Sequence, residues 1–245
     1  MSANLKLSPL AGVRAAIIDL DGTMLDTIPD FHVAINGMLQ ELGLDSIEQE
    51  QIALMVGKGS ENLIRSVLAL QADAAGVEQR FDAAMDAYQR HYLGINGNHS
   101  ALYPDVIEGL TAMKANGLRL ACVTNKPIAF TTPLLQLKGL DGFFDVVYGG
   151  DSLPRKKPDP LPLQTVCADF DLPPAQVVAI GDSSNDAQAA RAAGCPVLTV
   201  PYGYNHGQSV HGIDSDGIVD TLLDAASRIS SVSYTHLTLP TIYSV

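Results

Sequence analysis

The sequence predicts an α/β protein, a doubly wound parallel sheet that carries an inserted all-helical segment. Three observations lead there. Short apolar runs recur at Val13–Ile18, Leu118–Val123, Val177–Ile180 and Val197–Val200, and continuous runs of that length suit strands buried on both faces. Stretches with apolar residues at helical spacing stand between them, and such alternation builds a parallel sheet covered by helices. The alternation is interrupted once, because residues 25–99 hold one helical pattern after another and no convincing strand.

The first run, broken only by Arg14, leads into Asp19-Leu20-Asp21-Gly22-Thr23. Side chains alternate along an extended chain, so Asp19 and Asp21 lean to one side. Gly22 lets the backbone turn sharply and approach a ligand. Two carboxylates this close are unfavourable unless a cation or a shared proton relieves them, which points to a magnesium site or to acid/base chemistry. Thr27 then reads as an N-cap with Pro29 in the first turn, and Ile28, Phe31, Ile35, Met38 and Leu42 keep helical spacing up to Gly43. Further helices are expected over about 46–55, 60–70 and 77–93, with Val56-Gly57-Lys58-Gly59-Ser60 as a loop between them.

After Tyr103-Pro104 a helix is expected over about 105–116, ended by Gly117. Strand 118–123 runs into Thr124-Asn125-Lys126-Pro127, and a helix over about 128–138 follows. A short strand near 144–148 reaches Gly149-Gly150, and the segment Arg155–Pro160 precedes a helix to about Phe170. Strand 177–180 ends in Gly181-Asp182-Ser183-Ser184-Asn185-Asp186, and the next helix closes at Gly194. Strand 197–200 leads to Tyr202-Gly203-Tyr204-Asn205, and a last helix is expected over about 217–229. No internal repeat is present. Residues 1–12 read as a loose lead-in. Residues 232–245 carry no charge and no helical period and resemble translated adaptor sequence, so they are set aside as a non-native tail, with the natural C-terminus expected to be short of a few residues.

Composition narrows the function classes. Of 245 residues, 47% are hydrophobic and 17% charged, enough apolar material for a substantial core in one large or two small domains. A formal net charge of -12 argues against a nucleic-acid partner, and no basic cluster exceeds Arg155-Lys156-Lys157. An anionic substrate would need a local positive pocket. Cys122, Cys167 and Cys195 are scattered, without disulfide or zinc spacing. Neither a signal peptide nor a membrane span is read, so the expectation is a reduced cytoplasmic protein with no membrane partner. Its oligomeric state is expected to be monomer or homodimer.

Polar residues gather where the strands end. In open α/β sheets ligands bind outside the carboxyl ends of strands, so Asp19/Asp21, Thr124/Asn125 and Asp182/Asp186 are expected to converge. Taken singly, each has an ordinary reading. Thr124-Asn125 could cap a helix, Asp182 and Asp186 could form a turn, and Lys157 could be a surface lysine. Their order and context together favour a site. His91, His99 and His206 lack ligand-like spacing and read as surface or insert residues.

These motifs resemble, in order and over essentially the whole chain before the tail, those of the haloacid dehalogenase superfamily phosphatases. The first is Asp19–Thr23, the second Thr124 with Asn125, the third Lys157 in Lys-Lys-Pro-Asp-Pro, and the fourth Gly181-Asp182 with Asp186. In finer detail Val-Thr-Asn-Lys-Pro at 123–127, Ala-Ala-Gly-Cys-Pro at 192–196 and Tyr-Gly-Tyr-Asn at 202–205 are similar to the bacterial phosphoglycolate phosphatases of that superfamily. The resemblance implies a Rossmann-like haloacid dehalogenase core of residues 1–24 plus 100–231 and a helical cap domain of residues 25–99. It implies magnesium-dependent hydrolysis of a small anionic phosphomonoester, 2-phosphoglycolate, through an aspartyl-phosphate. Asp19 would be the nucleophile and Asp21 the general acid/base. Magnesium would rest on Asp19, the backbone carbonyl of Asp21 and Asp182, with Asp186 in support. Thr124 and the Asn125 N–H would hold phosphate oxygens, and Lys157 would neutralise nucleophile and phosphoryl charge. Lys157 is chosen over Lys156 because it directly precedes Pro158, as in the family pattern. Family dehalogenases lack an acid at the place of Asp21. Lys58, between two glycines, is the candidate for the glycolate carboxylate, with Arg65 and Arg90 as further candidates. The alternatives are a sugar-phosphate or broad-specificity phosphatase, a phosphomutase, or a catalytically inactive ligand-binding relative. The intact Asp19, Asp21, Lys157 and Asp182 stand against the last.

Overall fold

The apolar runs become strands in the computed structural model of the chain, which describes residues 10–229. The tail at 232–245 and most of the lead-in lie outside the described residues. The strands are β1 (Ala15–Ile18), β2 (Leu25–Asp26), β3 (Ala101–Leu102), β4 (Arg119–Val123), β5 (Val146–Tyr148), β6 (Val177–Gly181), β7 (Val197–Thr199) and β8 (Gly217–Ile218). Six form one sheet in the order β5-β4-β1-β6-β7-β8, parallel throughout. The chain builds outward from β1 through β4 and β5, then crosses β1 to add β6, β7 and β8. The reversal of strand order therefore falls at β1, where an open α/β sheet opens its binding crevice.

Nine helices accompany the strands among the described residues: α1 (Ile28–Glu41), α2 (Gln49–Ala53), α3 (Ser60–Leu68), α4 (Ala74–Ile95), α5 (Val106–Ala115), α6 (Ile128–Leu137), α7 (Leu161–Asp169), α8 (Ser184–Ala193) and α9 (Leu222–Arg228). The period of two along each strand divides the core into two layers. Ala16, Ile18, Leu120, Cys122 and Ile180 face α5, α6 and α9, whereas Ala15, Ile17, Ala121, Val123 and Ala179 face α7 and α8. The strand residues of both layers are buried, which explains why the central strands read as unbroken apolar runs. Cys167 and Cys195 meet in the second layer, Sγ to Sγ 3.8 Å, although the sequence separates them widely.

Helices α1–α4 pack on one another around a core of their own. Phe31, Ile35, Leu39, Ile64, Val67, Tyr88 and Tyr92 meet there, joined by Phe130 from α6. The chain leaves the sheet through β2 and returns through β3, and these two short strands pair antiparallel, Leu25 with Leu102 and Asp26 with Ala101. Buried Asp30 in the first turn of α1 ties down the return. It accepts from the Gly97 N–H at 2.8 Å, the His99 N–H at 2.7 Å and the Ser100 hydroxyl.

Two expectations need correction and a third gains a detail. The last helix begins at Leu222 rather than 217, because Gly217–Ile218 pairs with β7 as a sixth sheet strand and Thr221 then caps the helix by accepting from Asp224 N–H. The helix expected over 46–55 shrinks to Gln49–Ala53. Thr27 stands at the N-cap of α1, but its side chain makes no cap bond; Asp26 Oδ1 accepts from Ile28 N–H instead, at 3.3 Å. The ribbon strands β2 and β3 have two residues each, too few for any periodicity to register. Among the described residues no helix is long and apolar enough to cross a membrane.

Candidate active site at the carboxyl edge of the sheet

Strand register decides which residues meet. Ile18 lies opposite Cys122 on one side and Ile180 on the other, and Asp19 N–H donates to Ile180 O at 3.0 Å. The residues immediately beyond these three strands therefore emerge at one level. Asp19, Asp21, Thr124, Asn125, Lys126, Lys157, Asp182 and Asp186 all line a single small cavity, closed on its far side by Phe31, Val56, Gly57, Gly59, Ser60 and Leu63 of the helical insert.

The centre of the cavity is an ion cluster. The Lys157 ammonium donates to Asp19 Oδ1 at 2.8 Å, to Asp186 Oδ1 at 2.6 Å and to the Val123 carbonyl at 2.7 Å. All three protons of the ammonium are thereby used. Asp182 sits beside them, accepting from Tyr204 N–H at 2.7 Å and from the Thr23 hydroxyl at 3.2 Å. Asp186 also closes the first turn of α8, taking the Ser183 N–H and hydroxyl on its other oxygen. One buried lysine cannot neutralise three buried acids. Burial, and then Asp186 and Asp182, hold Asp19 well above the usual carboxylate range against the pull of Lys157. Burial and Asp186 push Asp182 up to about 7. Burial works against the charge on Lys157, but Asp186 and Asp19 outweigh it and the net shift is upward.

Oxygens from Asp19, Asp182 and Asp186 lie within 4.8 Å of one another, and all three residues are buried. An all-oxygen set with surplus negative charge suits a hard divalent cation, so the residues present fit a metal. The Asp21 side chain does not join this cluster. It pairs with the Lys126 ammonium at 3.1 Å, which leaves only its backbone carbonyl for the metal role expected of it.

Two glycines make the packing possible. A Cβ at Gly22, where φ is +85°, would meet Asp182 Oδ2 at 2.6 Å, and one at Gly203 would overlap the Asp182 carboxyl. Thr124 Oγ1 accepts from Lys126 N–H at 3.2 Å. The Asn125 amide donates to Gly57 O at 2.9 Å and to Lys157 O at 2.8 Å, tying the insert to the strand ends.

Lys58 is not brought in. Its neighbours Gly57 and Gly59 line the cavity while Lys58 itself is exposed and outside the lining. Lys156 is half-buried against Gly59 but does not line the cavity either. Arg65 pairs with Glu61 and Glu78, and Arg90 with Glu41, both on the surface of the insert. His206 is half-buried near Gly57 and Asn185, where burial and then Lys58 push it below its ordinary value.

Sequence reasoning passed over two residues. Lys126 is buried and reaches both Asp21 and the Tyr92 hydroxyl, the latter at 2.6 Å. Tyr204 donates its N–H to Asp182 and its hydroxyl to Asp26, at 2.9 Å, while accepting from Thr27 N–H. Both follow apolar strands at the same edge, and the strand-end rule applied to every residue of those loops would have found them.

The model of the haloacid dehalogenase-like hydrolase family matches residues 16–200. A phosphoglycolate phosphatase of Nitrosospira multiformis is 48% identical over 221 residues, covering 90% of this chain and 97% of that protein. One from Thiobacillus denitrificans is 46% identical over 218 residues, covering 89% and 96%. Among solved structures, that of a predicted phosphoglycolate phosphatase from Haemophilus somnus superposes with a TM-score of 0.85 at 34% identity, covering 89% of this chain and 99% of that one.

Proposed function

The chain belongs to the haloacid dehalogenase-like hydrolase family, and from that premise we propose that it hydrolyses 2-phosphoglycolate to glycolate and inorganic phosphate. The observation that carries the chemistry is the convergence of Asp19, Lys157 and Asp186 beside Asp21 at the reversal point of the sheet. The substrate reading is supported by the phosphoglycolate phosphatases that share nearly half their residues with this chain over almost their whole length.

Phosphoryl transfer asks mainly for positioning and charge stabilisation. An Asp19 oxygen attacks the phosphorus in line, and the bond to the ester oxygen breaks. Asp21 gives its proton to the leaving glycolate oxygen. It then takes a proton from the water that attacks the aspartyl-phosphate, which frees phosphate and restores Asp19. Thr124 and the Asn125 N–H hold the phosphoryl oxygens. Lys157 keeps Asp19 oriented and offsets its charge. Asp19, Asp182, Asp186 and the Asp21 carbonyl would hold magnesium, which supplies the positive charge that lets an anionic carboxylate approach an anionic phosphate. The helical insert, residues 25–99, acts as the cap that shuts water out and limits substrate size. Three buried free cysteines suit the reducing cytoplasm as its compartment.

The test is a rate panel with magnesium present. Release of phosphate from 2-phosphoglycolate should exceed that from sugar phosphates by at least about tenfold in kcat/KM. Equal rates would replace the substrate assignment with a broad phosphatase, and no release from any ester would replace catalysis with ligand binding.

A further inference from the structure

Lys126 has no part in the mechanism above, yet it is the most unusually placed charge in the cavity. Its side chain is only 2% exposed. Burying an ammonium is costly unless it is matched by charge and hydrogen bonds. Its partners are Asp21, at 3.1 and 3.4 Å, and the Tyr92 hydroxyl at 2.6 Å, with the rings of Phe31 and Tyr92 beneath it at 4.5 and 4.7 Å. An ammonium has three protons. Asp21 takes one, shared between its oxygens, and Tyr92 takes another; beyond these and the two ring faces, no further oxygen or nitrogen acceptor holds the third among the described residues.

We propose that Lys126 is the residue that reads the carboxylate of the substrate and so makes the site selective for phosphate esters with an acid group one carbon from the ester oxygen. This rests on the phosphatase reading above. The argument is one of lengths. Asp21 must come within about 2.7 Å of the ester oxygen to protonate it. Lys126 Nζ stands 3.1 Å from Asp21 Oδ1, so it lies no more than about 6 Å from that ester oxygen. In an O–CH2–COO group the carboxylate oxygens sit about 3 Å from the ester oxygen, by ordinary bond lengths. A carboxylate turned toward Lys126 comes within hydrogen-bond reach of its ammonium, and a charge-assisted bond is about twice as strong as a neutral one. A sugar hydroxyl or an alkyl group at that place brings no charge to match.

The other cations do not compete. Lys157 has spent all its donors on Asp19, Asp186 and the Val123 carbonyl. Lys58 is exposed, and neither it nor Lys156 lines the cavity. Among the described residues, Lys126 and Lys157 are the basic side chains of the lining.

The experiment compares kcat/KM for 2-phosphoglycolate with that for ethyl phosphate, which has the same ester oxygen and no acid. Wild type is measured first. If it shows no preference for 2-phosphoglycolate, the substrate reading itself fails and takes this inference with it. If wild type has the preference, Lys126→Met and Lys126→Gln should collapse the ratio by about 30- to 100-fold, while Lys126→Arg retains part of it and Lys156→Met leaves it unchanged. Inhibition gives a second readout: 3-phosphonopropionate should lose affinity for Lys126→Met far more than propylphosphonate does. A ratio preserved in Lys126→Met overturns the inference alone, and so does an equal fall for both esters. Loss of the native circular dichroism spectrum in both uncharged variants overturns it too, since Lys126 would then be a pin between Asp21 and Tyr92.

Discussion

The carboxyl edge of the sheet and the helical insert face each other across one cavity and bring opposite kinds of surface to it. The sheet edge contributes three buried acids and two buried lysines, each held by hydrogen bonds from residues far away in sequence. The insert contributes mostly apolar side chains and glycine backbone, with Ser60 as its polar exception, and pairs Arg65 and Arg90 with surface glutamates. The sheet edge is thus over-determined: Asp186 alone serves Lys157, the start of α8 and the carboxylate cluster. The insert is held by an aromatic core in which Tyr88 and Tyr92 stack and Phe130 of α6 packs edge-on. Changes at the edge should therefore strike function first, and changes in the insert should be mild unless they reach its core.

That contrast can be tested from its strongest consequence downward. Asp19→Asn should lower kcat by at least about 10^4-fold while the native fold persists, because the amide can neither attack phosphorus nor be replaced by a neighbour. Activity near wild type in steady-state assays would remove Asp19 as the nucleophile.

The surplus charge predicts a pH effect of definite sign. Between the ordinary carboxylate range near 4 and its folded value of about 7, Asp182 keeps a proton that the unfolded chain has released. Stability of the cation-free protein should fall as pH rises through that window. Magnesium should reverse the trend by replacing the proton, so its gain in Tm should be larger at pH 8 than at pH 5.5. Thermal unfolding with magnesium or with EDTA measures this, and an equal gain at both pH values would break the account of the cluster.

Two glycine substitutions bring the regions into direct contrast. Gly203→Ala pushes a methyl into the Asp182 carboxyl, and about a 100-fold loss in kcat/KM with weakened magnesium affinity is expected. Gly94 in the last turn of α4 is exposed and has open space where a Cβ would go. Gly94→Ala should leave activity alone and gain about 0.5–1 kcal/mol of stability by denaturant unfolding. Smallest of all, Lys58→Ala should change kcat/KM for 2-phosphoglycolate by less than about threefold. A larger loss would move the carboxylate contact from Lys126 to the insert loop.

How legible the molecule is in its sequence follows the same division. The strands were readable because burial on both faces writes itself as an apolar run, and the run also marks where each strand stops. Asp19, Asp21, Thr124, Asn125, Asp182 and Asp186 could be named because strands end beside them, Lys157 only because its Lys-Lys-Pro-Asp-Pro setting matches a family pattern, and all seven line one cavity. Lys126 and Tyr204 were passed over because their significance lies in what they touch, across 105 and 22 residues respectively. Lys58 was singled out because two glycines advertise a loop near a ligand, but glycine spacing says nothing about where a long flexible side chain points. Strand β8 was read as helix because two residues cannot express a period of two. The ribbon of β2 and β3 was invisible for the same reason.

That ribbon matters beyond its four residues. The chain departs from the sheet at Leu25–Asp26 and comes back beside the same spot at Ala101–Leu102, with Asp30 fastening the return. Both joints between the two halves of the molecule thus share one doorway. A segment of any other length or shape, closed by the same pair of strands, requires no re-threading of the sheet and leaves the acids of β1 and β6 where they stand. On the proposed function, the part of the chain that limits entry can be exchanged like a fitting, while the part that breaks the bond stays as it is.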